Sequence, residues 1–264
     1  MLAALVLISL VAACDAPPPP MPTPRPSSNG MAQGVDLPTN ASDVLGELRG
    51  SRLDFVARYY RDPASHWPAL TAAEAQRLSS LGLKIVSVWE SHSGSAWYFS
   101  YNSGFYDGYT AYREAVAVGQ PAGSAIYFGV DFNAGGAQLY QIDQYFRGVN
   151  AAFAAARRGT PGYKIGVYGS GAVCDAVTRA RLAQYSWLSN AHAWAGYQSY
   201  GGWNIRQHGA VASLSFNHDS DEARGEYGGF QISGYAPPPP MAETMPPQPA
   251  PAESGLTALI RSLR

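Results

Sequence analysis

Two stretches of the chain decide its fold: Lys84-Ile85-Val86-Ser87-Val88-Trp89, which runs into Glu90, and Ala125-Ile126-Tyr127-Phe128-Gly129-Val130, which runs into Asp131. Neither alternates polar with apolar residues. A strand with one wet face would alternate, whereas an unbroken apolar run fits a strand covered on both faces, as in a parallel sheet. A shorter run, Gly34-Val35, ends in the same way at Asp36. In an α/β barrel the carboxyl ends of such strands meet at one open face, where the loops carry chemistry. These three acids are therefore expected to converge.

Working outward, strands and helices alternate. Strand one is expected over 32–36, followed by a short helix from Ser42 to Leu48 that stops before Gly50. Strand two covers 54–59. Thr71-Ala72-Ala73-Glu74 reads as a capping box, with a helix to Leu81 and a stop at Gly82. Strand three is 84–89, a helix over 105–118 ends at Gly119, and strand four is 124–130. An Ala-rich helix follows over 137–158, then strand five at 164–168 and a helix from Gly171 to Ala180. Further strands are expected at 184–188, 203–207 and 212–216. This is α/β, a (β/α)8 TIM barrel. It should be irregular in its last third, because residues 190–202 are rich in Gly, Tyr and Trp and carry no helical period. An open doubly wound sheet would show a Gly-rich phosphate loop after strand one, and none is there.

Composition sets the limits. The 20 prolines crowd towards the two ends, with Pro17 to Pro20 and Pro237 to Pro240 as the densest runs. Such runs form extended spacers. The folded domain is expected at 31–235, a length that suits one small barrel of ~200 residues. Residues 15–30 form a Pro-rich linker and 236–264 a Pro-rich tail, both disordered. In the tail, Leu256, Leu259, Ile260 and Leu263 have the spacing of a short amphipathic helix. Within residues 1–14 the apolar run from Leu2 to Val11 is shorter than the ~20 residues that span a bilayer. It ends Val11-Ala12-Ala13-Cys14, which resembles a bacterial lipobox. That resemblance implies a signal peptide cleaved before Cys14, a lipid on its sulfur and a lipoprotein of the cell envelope held to the membrane by its N-terminus. No Lys or Arg precedes the apolar run, unlike an ordinary signal. A net charge of -1 with no basic stripe gives no footing for a nucleic-acid partner. The other cysteine, Cys174, lies in an apolar setting and reads as a small buried hydrophobe. No cofactor is expected.

Five acids sit at or just past expected strand ends: Asp36, Glu90, Asp131, Asp219 and Asp221. Glycoside hydrolysis needs one carboxylic acid to protonate the leaving oxygen and a second carboxylate as nucleophile, base or electrostatic stabiliser. Their surroundings must hold the two pKa values apart. Strand-end acids also cap helices and bind loop amides, and each of the five stays open to that reading. Asp219 and Asp221, with Asn217 and His218 beside them, match no regular metal spacing, and no metal is expected. Tyr59, Tyr168, Trp187 and Gln207 lie at strand ends where ring faces could meet sugar C–H groups and polar tips could meet hydroxyls; core packing is the alternative for each. His208 and His218 are loop histidines open to a general-base role.

At these residues a resemblance becomes specific. Gly34-Val35-Asp36, Ala57-Arg58-Tyr59-Tyr60, Val86-Ser87-Val88-Trp89-Glu90, Ile126-Tyr127-Phe128-Gly129-Val130-Asp131 and Ile165-Gly166-Val167-Tyr168-Gly169-Ser170 occur in that order. Together they resemble the secreted bacterial glycoside-hydrolase-like domain (domain of unknown function 1906) over about Gln33 to Phe230. The family has a TIM barrel similar to lysozyme-type family 25 glycoside hydrolases, which cut peptidoglycan. The resemblance implies that Asp36 matches the strand-one aspartate of family 25, and Asp219 or Asp221 its strand-eight aspartate. Family 25 carries Asp-x-Glu after strand four, the Glu being the general acid, whereas this chain reads Asp131-Phe132-Asn133. An amide cannot donate a proton as an acid does. Asn133 is then a substrate-binding candidate, and either Glu90 is the acid or the domain binds glycan without cutting it. The expected function is a glycoside hydrolase of the cell envelope acting on peptidoglycan or a related glycan, the alternative a catalytically silent glycan-binding lipoprotein.

Overall fold

The computed structural model describes residues 30–157, 162–233 and 245. Cys14, the Pro-rich linker and the tail helix lie outside the described residues. Eight strands close a barrel in chain order: β1 Met31–Asp36, β2 Phe55–Tyr60, β3 Lys84–Trp89, β4 Ala125–Gly129, β5 Lys164–Gly169, β6 Tyr185–Leu188, β7 Ile205–His208 and β8 Asp219–Arg224. Among the described residues five α-helices lie outside it: α1 Leu45–Gly50, α2 Ala72–Ser80, α3 Tyr101–Val118, α4 Ala137–Ala156 and α5 Gly171–Arg179. No helix follows β6 or β7, so the last third is irregular.

The pleat sorts the residues. Along each strand, alternate side chains turn into the barrel or out towards the helices. The inward set, including Phe55, Ala57, Val86, Val88, Ala125, Tyr127, Trp187, Ile205 and Ala223, forms one buried cluster. The outward set, including Val35, Val56, Ile85, Trp89, Ile126, Phe128 and Val167, packs under the helices in a second cluster. Both faces are dry, which is why the runs in β3 and β4 read as continuous apolar stretches. Interior volume is balanced strand against strand. A Cβ on Gly34 would strike the Phe55 ring, and one on Gly166 the Tyr127 ring, so each glycine makes room for a neighbour's aromatic.

Three expectations need correction. Strand eight is Asp219–Arg224, not 212–216, and it runs antiparallel to both β7 and β1. A parallel crossover takes about a dozen residues or more, usually with a helix. The link 209–218 is shorter and has none, so the chain turns back directly and β8 descends from the open face. The capping box is only half formed. Thr71 Oγ1 accepts the Glu74 N–H at 3.2 Å, but the Glu74 carboxylate turns away to a buried ion pair with Arg58 at 2.6 Å and to the Ala41 N–H at 2.8 Å. Arg58 is the outward residue of β2 that α2 covers; its Nη1 also donates to the Leu37 carbonyl at 2.9 Å. Helix α3 starts earlier than expected, at a Ser100 cap that accepts the Ser103 N–H. Below the barrel, the segment after β8 closes the floor: Phe230 exchanges backbone hydrogen bonds with Ile85, and the Tyr227 carbonyl accepts from Tyr127 Oη at 2.9 Å.

Candidate active site

The inward alternation carries one residue of each strand up to the mouth. Above Gly34 comes Asp36, above Ala57 comes Tyr59, above Val88 comes Glu90, above Tyr185 comes Trp187 and above Ile205 comes Gln207. Asp131 and Tyr168 complete the ring from β4 and β5. Because β8 is reversed, its first residue, Asp219, stands at the mouth opposite Asp36 in the ladder. Together Asp36, Tyr59, Glu90, Asp131, Tyr168, Trp187, Gln207 and Asp219 line a cavity of about 250 Å³. Segments from all around the barrel thus meet at one pocket.

Hydrogen bonds fix the ring. Asp36 Oδ1 accepts from Tyr59 Oη at 3.0 Å and Oδ2 from Gln207 Nε2 at 2.9 Å. Gln207 is oriented by its own acceptor side: Oε1 takes the Tyr168 hydroxyl at 3.0 Å and the Asn190 N–H at 3.2 Å. Glu90 Oε1 accepts from Ser93 Oγ at 2.8 Å, while the Ser93 carbonyl accepts the Asp131 N–H at 2.9 Å. Ser93 therefore joins the β3 and β4 acids. It reaches back because His92 takes a left-handed backbone at φ 47° and reverses the loop.

Electrostatics pushes every acid of the pocket the same way. Burial raises Asp36 to about 7, helped by the nearby charges of Asp219 and Glu90 and opposed by the hydrogen bonds from Gln207 and Tyr59. Glu90 is raised by burial and by Asp131, with Ser93 and Arg61 pulling it down. Asp131 stands exposed at the rim, where the surrounding walls still strip enough water to raise it. Asp219 is raised by burial and lowered by His218. The arrangement can hold protons on some carboxyls at neutral pH while others stay charged.

Two candidates fall outside the pocket. Asp221 points inward two residues below Asp219 and is sealed in the barrel, 1% exposed. Neither of its oxygens has a hydrogen bond of normal geometry, and burial beside Asp36 drives its pKa well up. The indole N–H of Trp187 is likewise unpaired and lies near enough to favour the charged form. Asn133 is exposed and spends its Oδ1 on the Ala195 N–H at 2.8 Å, pinning the 190–202 loop rather than facing the cavity. The two histidines do not line the cavity either. His208 pairs with Glu222 at 3.2 Å, and His218 ties the β7–β8 link, with Nδ1 to the Phe216 carbonyl and Nε2 to the Val211 N–H. Cys174 is buried against the carbonyls of Gly169 and Trp187, and burial pushes its thiol up. Nothing in the sequence marks Ser93 or Arg61 for the site; a serine or an arginine in a polar loop carries no distinguishing pattern. Among the described residues no group of three His, Cys, Asp or Glu is placed to hold a metal ion.

Residues 47–233 match the model of the Rv2525c-like, glycoside hydrolase-like domain. The chain belongs to this family. Two Bacillus subtilis (strain 168) proteins similar to this chain are the uncharacterized proteins YbfG and FadG. YbfG is 34% identical over 112 residues, covering 41% of this chain and 15% of YbfG. FadG is 30% identical over 151 residues, covering 56% of this chain and 26% of FadG. The chain thus spans well under a third of either. Among solved structures, the Tat-secreted Rv2525c of Mycobacterium tuberculosis in complex with HEPES has the same fold, with a TM-score of 0.59 and 22% identity, covering 76% of this chain and 98% of that one. The family match opens at Glu47, after β1, so Asp36 lies just outside it although β1 completes the barrel.

Proposed function

We propose that this domain is a glycoside hydrolase of the bacterial cell envelope that acts on peptidoglycan or a related glycan. One observation carries the reading: four carboxyls at the mouth of a glycoside hydrolase-like barrel share a cavity with two tyrosines, a tryptophan and a glutamine. Glu90 is the general acid. Burial favours its protonated form, and the Ser93 hydroxyl orients it. Asp131, at the solvent-facing rim just past the end of the next strand, is the nucleophile or stabilising base. Asp36 and Asp219 supply hydrogen-bonding groups, and negative potential once ionised, and Tyr59, Tyr168, Trp187 and Gln207 hold the sugar. Asp221 and Asn133, away from the cavity, take supporting structural roles. Export and a lipid on Cys14, tethered by residues 15–30, would hold the domain beside its substrate. Purified full-length protein incubated with peptidoglycan and other envelope glycans should release soluble fragments. Glu90→Gln should reduce release by at least about a hundredfold without changing the melting temperature. No release from any glycan by the wild type would refute hydrolysis.

The second reading is a silent glycan-binding module. It is favoured by Asn133, an amide that the family resemblance matches to the general acid of family 25 enzymes and that is committed to the Ala195 backbone. Retention on insoluble wall material that Glu90→Gln leaves unchanged, with no turnover, would establish it.

A further inference from the structure

A second concavity, about 720 Å³, opens beside the acid pocket and shares Tyr59 and Glu90 with it. A chain-like ligand seated in one therefore continues into the other. The groove is walled by the loops after β2 and β3, and it contains Trp67, whose side chain is left 56% exposed. The loop holding Trp67 is shaped by its own hydrogen bonds, from Trp67 N to Ser65 Oγ and from Ala64 N to Asp62 Oδ1.

Arg61 lines the same groove. Its guanidinium lies over the Tyr59 ring, 4.1 Å from the centroid, which fixes its plane. Nη1 makes one long contact, 3.5 Å, to the Glu90 carbonyl, and Nε is buried with no partner. Neighbouring acids are engaged elsewhere. Glu114 accepts the Arg61 backbone N–H at 3.1 Å rather than the side chain, and Glu90 takes the Ser93 hydroxyl. Asp62 serves its own turn, and among the described residues no ion pair to the Arg61 guanidinium is formed. A half-buried cation, pre-oriented and with donors unused, is arranged for an anion that arrives with the ligand. The guanidinium fork matches the two oxygens of a carboxylate.

We propose that this groove is a subsite for a carboxylate-bearing sugar of the glycan chain, with Arg61 receiving the carboxylate and Trp67 stacking on the sugar ring. The proposal rests on the glycan reading of the neighbouring pocket and narrows it to acidic glycans, whether the carboxylate sits on a lactyl ether or on a uronic ring.

Calorimetric titration of the full chain carrying Glu90→Gln, which removes turnover, tests it. The probes are a tetrasaccharide of alternating N-acetylglucosamine and its lactyl-ether derivative, the same tetrasaccharide with its carboxyls amidated, and a tetragalacturonate. The lactyl-bearing or the uronate probe should bind about tenfold more tightly than the amidated one, and whichever does so identifies the carboxylate's source. Adding Arg61→Gln should erase that preference, and Arg61→Lys should restore part of it. Trp67→Ala should weaken charged and amidated forms alike. Equal affinity for charged and amidated probes, a preference that survives Arg61→Gln, or no binding of any probe would overturn the subsite. The two readings fail separately. Wild-type digestion of envelope glycan without charge preference keeps the hydrolase and sinks the subsite. Charge preference without fragment release keeps the subsite and sinks hydrolysis.

Discussion

Asp36 shows how the barrel works on a single side chain. It is 5% exposed, accepts two hydrogen bonds, and still keeps its proton up to about pH 7, against an ordinary value of 3.8. Folding therefore takes up a proton across that window. The associated stability is fully present below the unfolded value and is lost as pH rises through about 7. A tenfold change in proton affinity corresponds to about 1.4 kcal/mol, so the effect amounts to a few kcal/mol at most. Asp36→Asn can still accept from Gln207 and donate to Tyr59, but cannot ionise. Chemical melts at about pH 4 and about pH 8 should show the wild type losing more stability than the variant over that interval; parallel losses would disprove the assignment. Asp221 has the same sign and remains in both proteins; part of its upward shift comes from the Asp36 charge, so losing that charge in the variant adds to the difference. At this scale the sequence is readable where a strand's terminal residue is an acid, as at Asp36, Glu90 and Asp131. It is not readable at Ser93 or Arg61, whose importance arises only when a loop folds back onto another strand's end.

Among the elements, β8 is the hardest to see. Its sequence, Asp219-Ser220-Asp221-Glu222-Ala223-Arg224, contains a single apolar residue, because two of its inward positions carry acids. The more apolar stretch at 212–216 looks more like a strand, yet the chain uses it for the link from β7. Helix periodicity is far more legible, since α3 and α4 each carry a continuous apolar stripe. Their pairing depends on the absence of side chains. A Cβ on Gly148 would strike the Tyr101 carbonyl, and one on Gly104 the Tyr145 carbonyl. Backbone cannot yield as a flexible side chain does, so the helices would have to separate. Gly148→Ala should destabilise the fold by roughly 1–3 kcal/mol despite its better helix propensity. A thermal melt equal to wild type would show that the helices do not meet as described. The Arg58–Glu74 pair locks β2 to α2 in the same way. Glu74→Gln leaves a buried guanidinium without its counter-charge and should remove about 3–5 kcal/mol, measured by denaturant titration.

For the molecule as a whole, closure is the central property. β1 pairs with β2 on one side and β8 on the other, so it completes the ring even though the family match begins after it. A fragment limited to 47–233 would lack Asp36 and open the barrel along two ladders, exposing unpaired strand edges. It should aggregate or stay unfolded, whereas 30–233 should fold cooperatively; circular dichroism and size exclusion on the two fragments compare them. A 47–233 fragment that melted like the longer one would count against the described closure.

The reversal of β8 has a consequence for orientation. β1 begins, and β8 ends, at the floor; the stretch that follows stays there, where Phe230 meets Ile85 and the Ile232 N–H reaches Ser79. Entry and exit of the domain thus share one pole, and the acids occupy the other. Whatever is fastened to either end, be it a lipid, a partner domain or a solid support, the acid-lined mouth will look away from the attachment and towards whatever lies beyond it.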